Sequence, residues 1–261
     1  HGSLDNHKGR FILKKYFPVY WSFIFYVAYL FTFAFVLLAW IYLPLISLCI
    51  FFLVASFHFG YEDLEMFFSQ KFILETPLYF LRGLIIISAP LYLNNVETIN
   101  FIDILLLGEK WINLESATYA YIFYFNLVSI FSLTLLFWIR KNINLKDFFM
   151  ISFEVFSIVV IFKYLPLILA FTIYFCFMHS TKHILSLAVE LNGSNVYAGI
   201  KLFAKKAAPL TIITFAMSLI MLFYLSKEFS VDKSILKIIF IGLAALTLPH
   251  IILEYIYGKY K

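Results

Sequence analysis

Charged residues are scarce in this sequence of 261 residues: Asp, Glu, Lys and Arg make up 13% of it, whereas an ordinary soluble domain has roughly 25%. Glycine and proline are also few, at 9 and 7 residues, and there are only 2 cysteines. These shortages exclude a disordered chain, a collagen, a coiled coil and a disulfide-rich secreted scaffold. So few charges also cannot cover the surface of a soluble globular protein.

Apolar residues dominate instead, at 63% of the sequence, and 21% of all residues are aromatic. A bilayer core about 30 Å thick requires roughly 20 apolar residues per helix. We therefore predict an all-α integral membrane protein, a single polytopic bundle of about eight transmembrane helices over residues 1–261. A bundle with one more helix, upstream of residue 1, is the alternative. The predicted spans are 18–40, 43–61, 73–93, 116–139, 147–162, 164–190, 209–226 and 234–257.

Basic residues indicate the orientation of these spans. Four clusters fall on one side of the predicted membrane: residues 8–15, 140–146, 201–206 and 259–261. The segment 94–115 falls on the other side and carries four acidic residues against one lysine. Because Lys and Arg mark cytoplasmic loops, we predict a multi-pass protein of the plasma membrane with the basic side in the cytoplasm. The net charge of +5 then needs no nucleic-acid partner.

Ionisable side chains inside a membrane span are costly and usually mark a functional site. His58, His179, His183 and His250 fall in predicted spans two, six and eight, all of which run toward the cytoplasm. His1 and the nearby His7 precede span one on that same side. The sequence therefore predicts that all the histidines lie at one level, in the cytoplasmic half of the membrane.

The spacing of these histidines favours a metal site. His179 and His183 are four residues apart, so they share one helix face and could bind one ion. The absence of a cysteine ligand set and of an HExxH motif disfavours iron–sulfur clusters, structural zinc and zinc proteases. A mononuclear imidazole site remains, and imidazole suits Fe, Zn, Cu and Ni alike. Haem b between two histidines, or a histidine pair without metal, are the alternatives.

Four short motifs resemble the Brp/Blh family of bacterial and archaeal beta-carotene 15,15'-dioxygenases, which form retinal. They are HGSLDNH at 1–7, HFGYED at 58–63, HSTKH at 179–183 and PH at 249–250. The motifs follow the family's order along the whole chain. The resemblance implies an enzyme that cleaves beta-carotene centrally with O2 into two retinal molecules, which a microbial rhodopsin could then use.

The resemblance also implies one Fe(2+) ion bound by four histidines, which here are His1, His58, His179 and His183. The family has a proline before the first of these, whereas His1 opens this sequence. Either the sequence begins inside the natural protein, or residues 1–3 are the remnant of an expression tag. In the second case the first ligand could be His7 or could be absent.

Carboxylates near the ligands are expected to orient them. We predict that Asp5 and Asp63 accept the outer ring N–H of a ligating imidazole, with Glu62 a weaker candidate. His250 is predicted to lie behind the ligands, in the substrate pocket or in a helix-packing contact. Aromatic residues crowd the segment 171–178 before His179, as expected of a tunnel for a long hydrocarbon.

Three alternative functions stay open at this point. The first is a related oxygenase that acts on another carotenoid or isoprenoid, or cleaves at another position. The second is a transporter whose histidines relay ions, although the inverted repeats and broken helices of many transporters are not evident here. The third is a haem-binding electron carrier.

Overall fold

The computed structural model describes residue 2, residues 4–68, 75–112 and 114–260, with the backbone alone at 259 and 260. Within these residues the chain forms eleven α-helices: α1 (Asp5–Leu13), α2 (Trp21–Tyr42), α3 (Pro44–Leu64), α4 (Glu75–Leu93), α5 (Asn95–Leu105), α6 (Ser116–Ile139), α7 (Leu145–Tyr164), α8 (Leu167–Ile173), α9 (Ser180–Leu191), α10 (Val196–Leu225) and α11 (Val231–Tyr260). A 3₁₀ turn follows α3 at Glu65–Phe67, and a π-helical segment, Tyr174–His179, joins α8 to α9.

Seven helical runs within the described residues are long and apolar enough to cross a membrane: Trp21–Tyr42, Pro44–Phe67, Glu75–Leu93, Ser116–Ile139, Leu167–Leu191, Val196–Leu225 and Val231–Gly258. Their length and composition confirm the predicted all-α, multi-pass class. The remaining predicted span, 147–162, is α7, a helix of 20 residues that carries two lysines and two acidic residues. It therefore has the length of a span without the composition of one.

The chain divides into two compact units, and the single-domain organisation stays a prediction. Unit 1 comprises His1–Leu48, Ile104–Glu109 and Ile184–Lys261. Unit 2 comprises Cys49–Asp103 and Lys110–His183.

Unit 2 contains a large apolar core in which α4 packs against α6 and α7. Helix α7 shows why. Its buried residues recur every three or four positions, which places them on one face of the helix: Phe148, Ile151, Val155, Ile158 and Phe162. The charged residues of α7 are thereby kept off this face, apart from the region of Glu154 described below.

Two glycines bring the backbones of α3 and α4 into direct contact within unit 2. A Cβ atom on Gly60 would lie 1.7 Å from the carbonyl oxygen of Tyr79, and one on Gly83 would lie 1.7 Å from that of Ser56. Small residues allow membrane helices to approach this closely. The contact fixes the part of α3 that carries the HFGYED motif.

Unit 1 is built around α11, against which α1, α2 and α10 pack. The indole of Trp40 in α2 is buried and donates a hydrogen bond of 2.9 Å to the carbonyl of Leu105. Helix α10 begins at Val196, earlier than the predicted span 209–226, and continues through Pro209. The lysines in its first part lower the local hydropathy, so the hydropathy pattern did not predict this part of the helix.

Candidate metal centre

The carboxylate of Glu62 lies among three of the histidines predicted to bind metal. Its Oε1 is 3.7 Å from His58 Nε2, and its Oε2 is 3.4 Å from His179 Nε2 and 3.1 Å from His183 Nδ1. His58 and His179 are buried, and their ring centroids are 5.9 Å apart. Ligand atoms of His58, Glu62 and His179 all lie within 4.8 Å of one another, close enough to hold one ion.

Helical spacing explains how these side chains come together. His58 and Glu62 are four residues apart on α3, so they share one face of that helix. His179 ends the π-helical segment, and His183 follows four residues later on α9. Each of the two helical runs therefore contributes a pair of potential ligands.

Asp63 fixes the ring of His179 from the side opposite Glu62. Asp63 Oδ1 is 3.1 Å from His179 Nδ1, and its Oδ2 accepts a hydrogen bond of 2.9 Å from the Tyr174 hydroxyl. An ionised carboxylate only accepts hydrogen bonds, so the contact with Asp63 requires a proton on Nδ1, and the neutral imidazole then presents the Nε2 lone pair toward Glu62. A histidine held in this way is oriented as a metal ligand.

The π-helical segment brings Tyr174 and His179 to the same carboxylate. These two residues are five apart, which matches the repeat of hydrogen bonding in a π-helix rather than in an α-helix. Short π-helical segments of this kind occur frequently at functional sites. Here the segment allows both side chains to contact Asp63 at once.

Two cations lie behind this carboxylate. Arg82 on α4 is completely buried, and its Nη2 is 3.1 Å from Asp63 Oδ2 and 3.3 Å from Glu154 Oε2. Lys182 contacts Glu154 Oε1 at 2.6 Å and donates to the backbone carbonyl of Asp63 at 3.3 Å. The result is a connected network of charges inside unit 2.

The donor set fits a cation. With Nδ1 of His179 committed to Asp63, the neutral imidazole directs the lone pair of Nε2 toward the Glu62 carboxylate, and a metal ion between these two electron-pair donors would stabilise the pair. With the histidines neutral, the network holds three carboxylates (Glu62, Asp63, Glu154) against two cations (Arg82, Lys182), which leaves one negative charge. Both features favour a metal ion beside Glu62.

Aromatic rings enclose His179. The ring of Phe59 meets it edge-on at 4.7 Å between centroids, and Phe175 stacks on it at 5.8 Å. Phe171 stacks in turn on Phe175 at 5.7 Å. Of the aromatic residues predicted to crowd this approach, Phe177 differs, since it is 72% exposed and points away from the buried core.

Asp5 and His250 lie together in unit 1. His250 Nδ1 is 2.8 Å from Asp5 Oδ1, while Asp5 Oδ2 accepts a hydrogen bond of 3.0 Å from the Tyr29 hydroxyl. Asp5, His250 and Glu254 also have ligand atoms within 4.8 Å of one another. However, the ammonium of Lys8 is bonded to Glu254, so this group is better explained as an ion-pair network than as a second metal site.

The remaining predicted residues are at the start of the chain. His1 lies outside the described residues, so its role as a ligand stays a prediction. His7 is exposed on α1, and partial burial together with Lys206 and Arg10 lowers its pKa.

Comparison with known proteins decides the family. A family model described as "Beta-carotene 15,15'-dioxygenase" matches residues 1–257. The chain belongs to the beta-carotene 15,15'-dioxygenase family. Its sequence is 28% identical over 226 residues to a beta-carotene 15,15'-dioxygenase from an uncultured marine bacterium, 66A03, covering 83% of this chain and 74% of that protein. No solved structure matched the chain.

Membership in the beta-carotene 15,15'-dioxygenase family confirms the predicted resemblance and the enzyme class, a carotenoid-cleaving dioxygenase. It therefore favours an enzyme over the transporter and the electron carrier.

Sequence reasoning underestimated Glu62, missed Arg82 and Glu154, and did not predict the main contact of Tyr174. Glu62 was the weaker of the carboxylate candidates, yet the H-x-x-x-E spacing of residues 58–62 already placed it on the helix face of His58. Arg82 could have been noticed as a lone cation in an apolar run. Tyr174 belonged to the aromatic segment predicted to approach His179, but its hydrogen bond to Asp63 was not predicted. Glu154 gave no signal. In both cases the partner is distant in sequence: Asp63 for Tyr174 and Arg82 for Glu154.

Proposed function

We propose that this protein cleaves beta-carotene at its central 15,15' double bond with O2, giving two molecules of retinal. In this reaction one C=C bond breaks and two aldehyde C=O bonds form, so one O2 is consumed per beta-carotene. The observation that carries the proposal is the meeting of His58, His179 and His183 around Glu62 in a member of this family.

The resident ion is proposed to be Fe(2+), held by His58, His179 and His183 with His1 as the fourth ligand. When bound, ferrous iron supplies the redox chemistry by which O2 becomes reactive toward an alkene. The residues of the chain hold the ion and orient its ligands. Asp63 keeps the proton on His179 Nδ1, so that Nε2 stays directed toward Glu62. Glu62 adds a carboxylate that could bind the ion directly or orient its histidines.

Beta-carotene has no polar group by which an enzyme could select a bond, so the shape of an apolar pocket must position it. We propose that the rings beside His179, those of Phe59, Phe175 and Phe171, form part of that pocket. A hydrocarbon substrate reaches such a pocket from the lipid phase, and the membrane-spanning helices of the chain lie in that phase.

We also propose a cellular location and a use for the product. The enzyme lies in the plasma membrane with its histidine motifs toward the cytoplasm, as the distribution of lysines and arginines predicts. Its retinal supplies a microbial rhodopsin.

The purified protein in detergent provides the test of reaction and metal together. The metal-free protein is reconstituted under anaerobic conditions with Fe(2+), Zn(2+), Cu(2+) or Ni(2+) in turn, then supplied with beta-carotene and O2. We expect retinal as the main product, and only with Fe(2+). Shorter or longer apocarotenals would overturn central cleavage, and equal activity with Zn(2+) would overturn the choice of iron.

A further inference from the structure

Arg82 is a completely buried charge of unit 2 and has no part in the proposed ligand set. Its side chain is completely buried in α4, within a helix long and apolar enough to span the membrane. A buried cation in such a place is expensive unless it is paired, and unpairing it leaves an uncompensated charge. The carboxylates that pair with Arg82 must therefore compensate its charge.

The guanidinium contacts the carboxylate that orients His179. Arg82 Nη2 is 3.1 Å from Asp63 Oδ2, the oxygen that also accepts the Tyr174 hydroxyl. The guanidinium and the Tyr174 hydroxyl both contact Oδ2, while Oδ1 lies 3.1 Å from His179 Nδ1. The carboxylate is thus contacted by three groups, and each of these contacts opposes its rotation away from the imidazole.

Glu154 fixes Arg82 in turn. Its Oε2 is 3.3 Å from Arg82 Nη2, and its Oε1 is 2.6 Å from Lys182 Nζ. Lys182 is on α9, directly before His183, and it also donates to the backbone carbonyl of Asp63. The chain of contacts therefore runs from α7 through α4 to α3 and closes on α9.

We propose that Arg82 is a positioning residue for the metal centre: it holds the Asp63 carboxylate in the orientation that directs His179 Nε2 toward the ion. This inference rests on the proposed metal site. It adds that the affinity and geometry of the site depend on a residue that contacts neither metal nor substrate.

The test compares variants of the full-length protein in detergent, with Co(2+) as the probe ion. Arg82→Gln removes the charge and Arg82→Lys preserves it, while Arg140→Gln changes an exposed arginine at the end of α6 as a matched control. His179→Ala reports on the metal site itself. For each variant we would measure the melting temperature, the Co(2+) dissociation constant by chelator competition, and the ligand-field absorption of the Co(2+) complex.

We expect Arg82→Gln to weaken Co(2+) binding about 10-fold, within the range found when groups behind metal ligands are removed. The ligand-field bands should shift, because His179 changes its orientation. Arg82→Lys should recover most of the affinity, and Arg140→Gln should behave as wild type. A purely structural role would lower the melting temperature without moving the bands of the folded fraction.

If Arg82→Gln does not fold, the double variant Arg82→Gln/Glu154→Gln takes its place. It removes one charge of each sign, so that charge balance is kept while the contact with Asp63 is lost. We expect this variant to fold and still to bind Co(2+) weakly. Wild-type affinity and spectrum in it would overturn the inference, and so would failure of both variants to fold.

The His179→Ala variant separates the two proposals. If it binds Co(2+) as tightly as the wild type, the metal site itself is wrong. If it loses Co(2+) while folded Arg82→Gln retains wild-type affinity and spectrum, the metal site stands and the role of Arg82 is refuted.

Discussion

Asp63 and His179 form a buried carboxylate–imidazole pair, with 3.1 Å between Oδ1 and Nδ1. The two residues are far apart in sequence, and α3 and the π-helical segment bring them together. Because the pair commits one ring nitrogen to Asp63, it determines which nitrogen of His179 faces Glu62. The geometry of the candidate metal centre follows from this contact.

Replacing Asp63 with asparagine should weaken metal binding about 10- to 100-fold. The amide is a poorer acceptor for the Nδ1–H, and without the negative charge it does not raise the basicity of the His179 imidazole. Chelator competition against the purified protein measures this directly. Asp232→Asn, at the exposed start of α11, provides the control. Unchanged affinity in folded Asp63→Asn would mean that the pair has no influence on the metal.

Glu62→Gln should reduce both metal affinity and retinal formation at least about 10-fold, because its carboxylate contacts His58, His179 and His183. Glu65→Gln is the matched control, since Glu65 lies one turn later, is exposed and bonds only to Tyr61 among the side-chain contacts described. Metal content and product yield are measured on the same samples. Equal losses in both variants would point to a general effect of charge rather than to a role for Glu62.

Gly60→Ala and Gly83→Ala should each destabilise the protein by about 3 kcal/mol or more, at or above the usual range for overpacking, because a backbone carbonyl cannot move aside as a side chain can. An added Cβ would lie 1.7 Å from a carbonyl oxygen at either position. Gly242→Ala in α11 is the control, since no atom beyond its chain neighbours and the adjacent backbone of α11 lies within 4 Å of its added Cβ. Thermal melting in detergent should separate the three variants, and a melting temperature for Gly60→Ala equal to that of Gly242→Ala contradicts the close helix contact.

Tyr29→Phe should cost about 1.5–3 kcal/mol in unfolding free energy, the range for a hydrogen bond to a charged group. The lost bond is the one of 3.0 Å from its hydroxyl to Asp5, which also holds His250. Tyr26→Phe, on the same helix and 47% exposed, serves as the comparison. A stability difference of zero between the two variants would show that the Asp5 network contributes nothing to unit 1.

The fold class could be anticipated because hydropathy is a local signal, and so could the pairing of His179 with His183, which are four residues apart. The grouping of His58 with them was predicted from the orientation of the spans and from the resemblance to the family. The extent of α10 was underestimated, since Lys201, Lys205 and Lys206 interrupt the apolar pattern while the helix continues. Charges at the end of a span are tolerated there, and hydropathy alone does not register this.

Other features depend on tertiary structure and could not be read in advance. The π-helical segment Tyr174–His179 has an ordinary apolar sequence, and its value lies in bringing Tyr174 and His179 to Asp63. The partners of Arg82 are Asp63 on α3, 19 residues before it, and Glu154 on α7, 72 residues after it. No local pattern encodes such pairings.

The most direct test of the central claim is the pigment content of beta-carotene-producing bacteria that express either the wild-type chain or His179→Ala. Chromatography should show beta-carotene consumed and retinal formed with the wild type, and beta-carotene unchanged with His179→Ala at equal protein level in the membrane. Retinal at wild-type yield from His179→Ala would contradict the proposed centre. Unchanged beta-carotene with the metal-loaded wild type would contradict the proposed reaction.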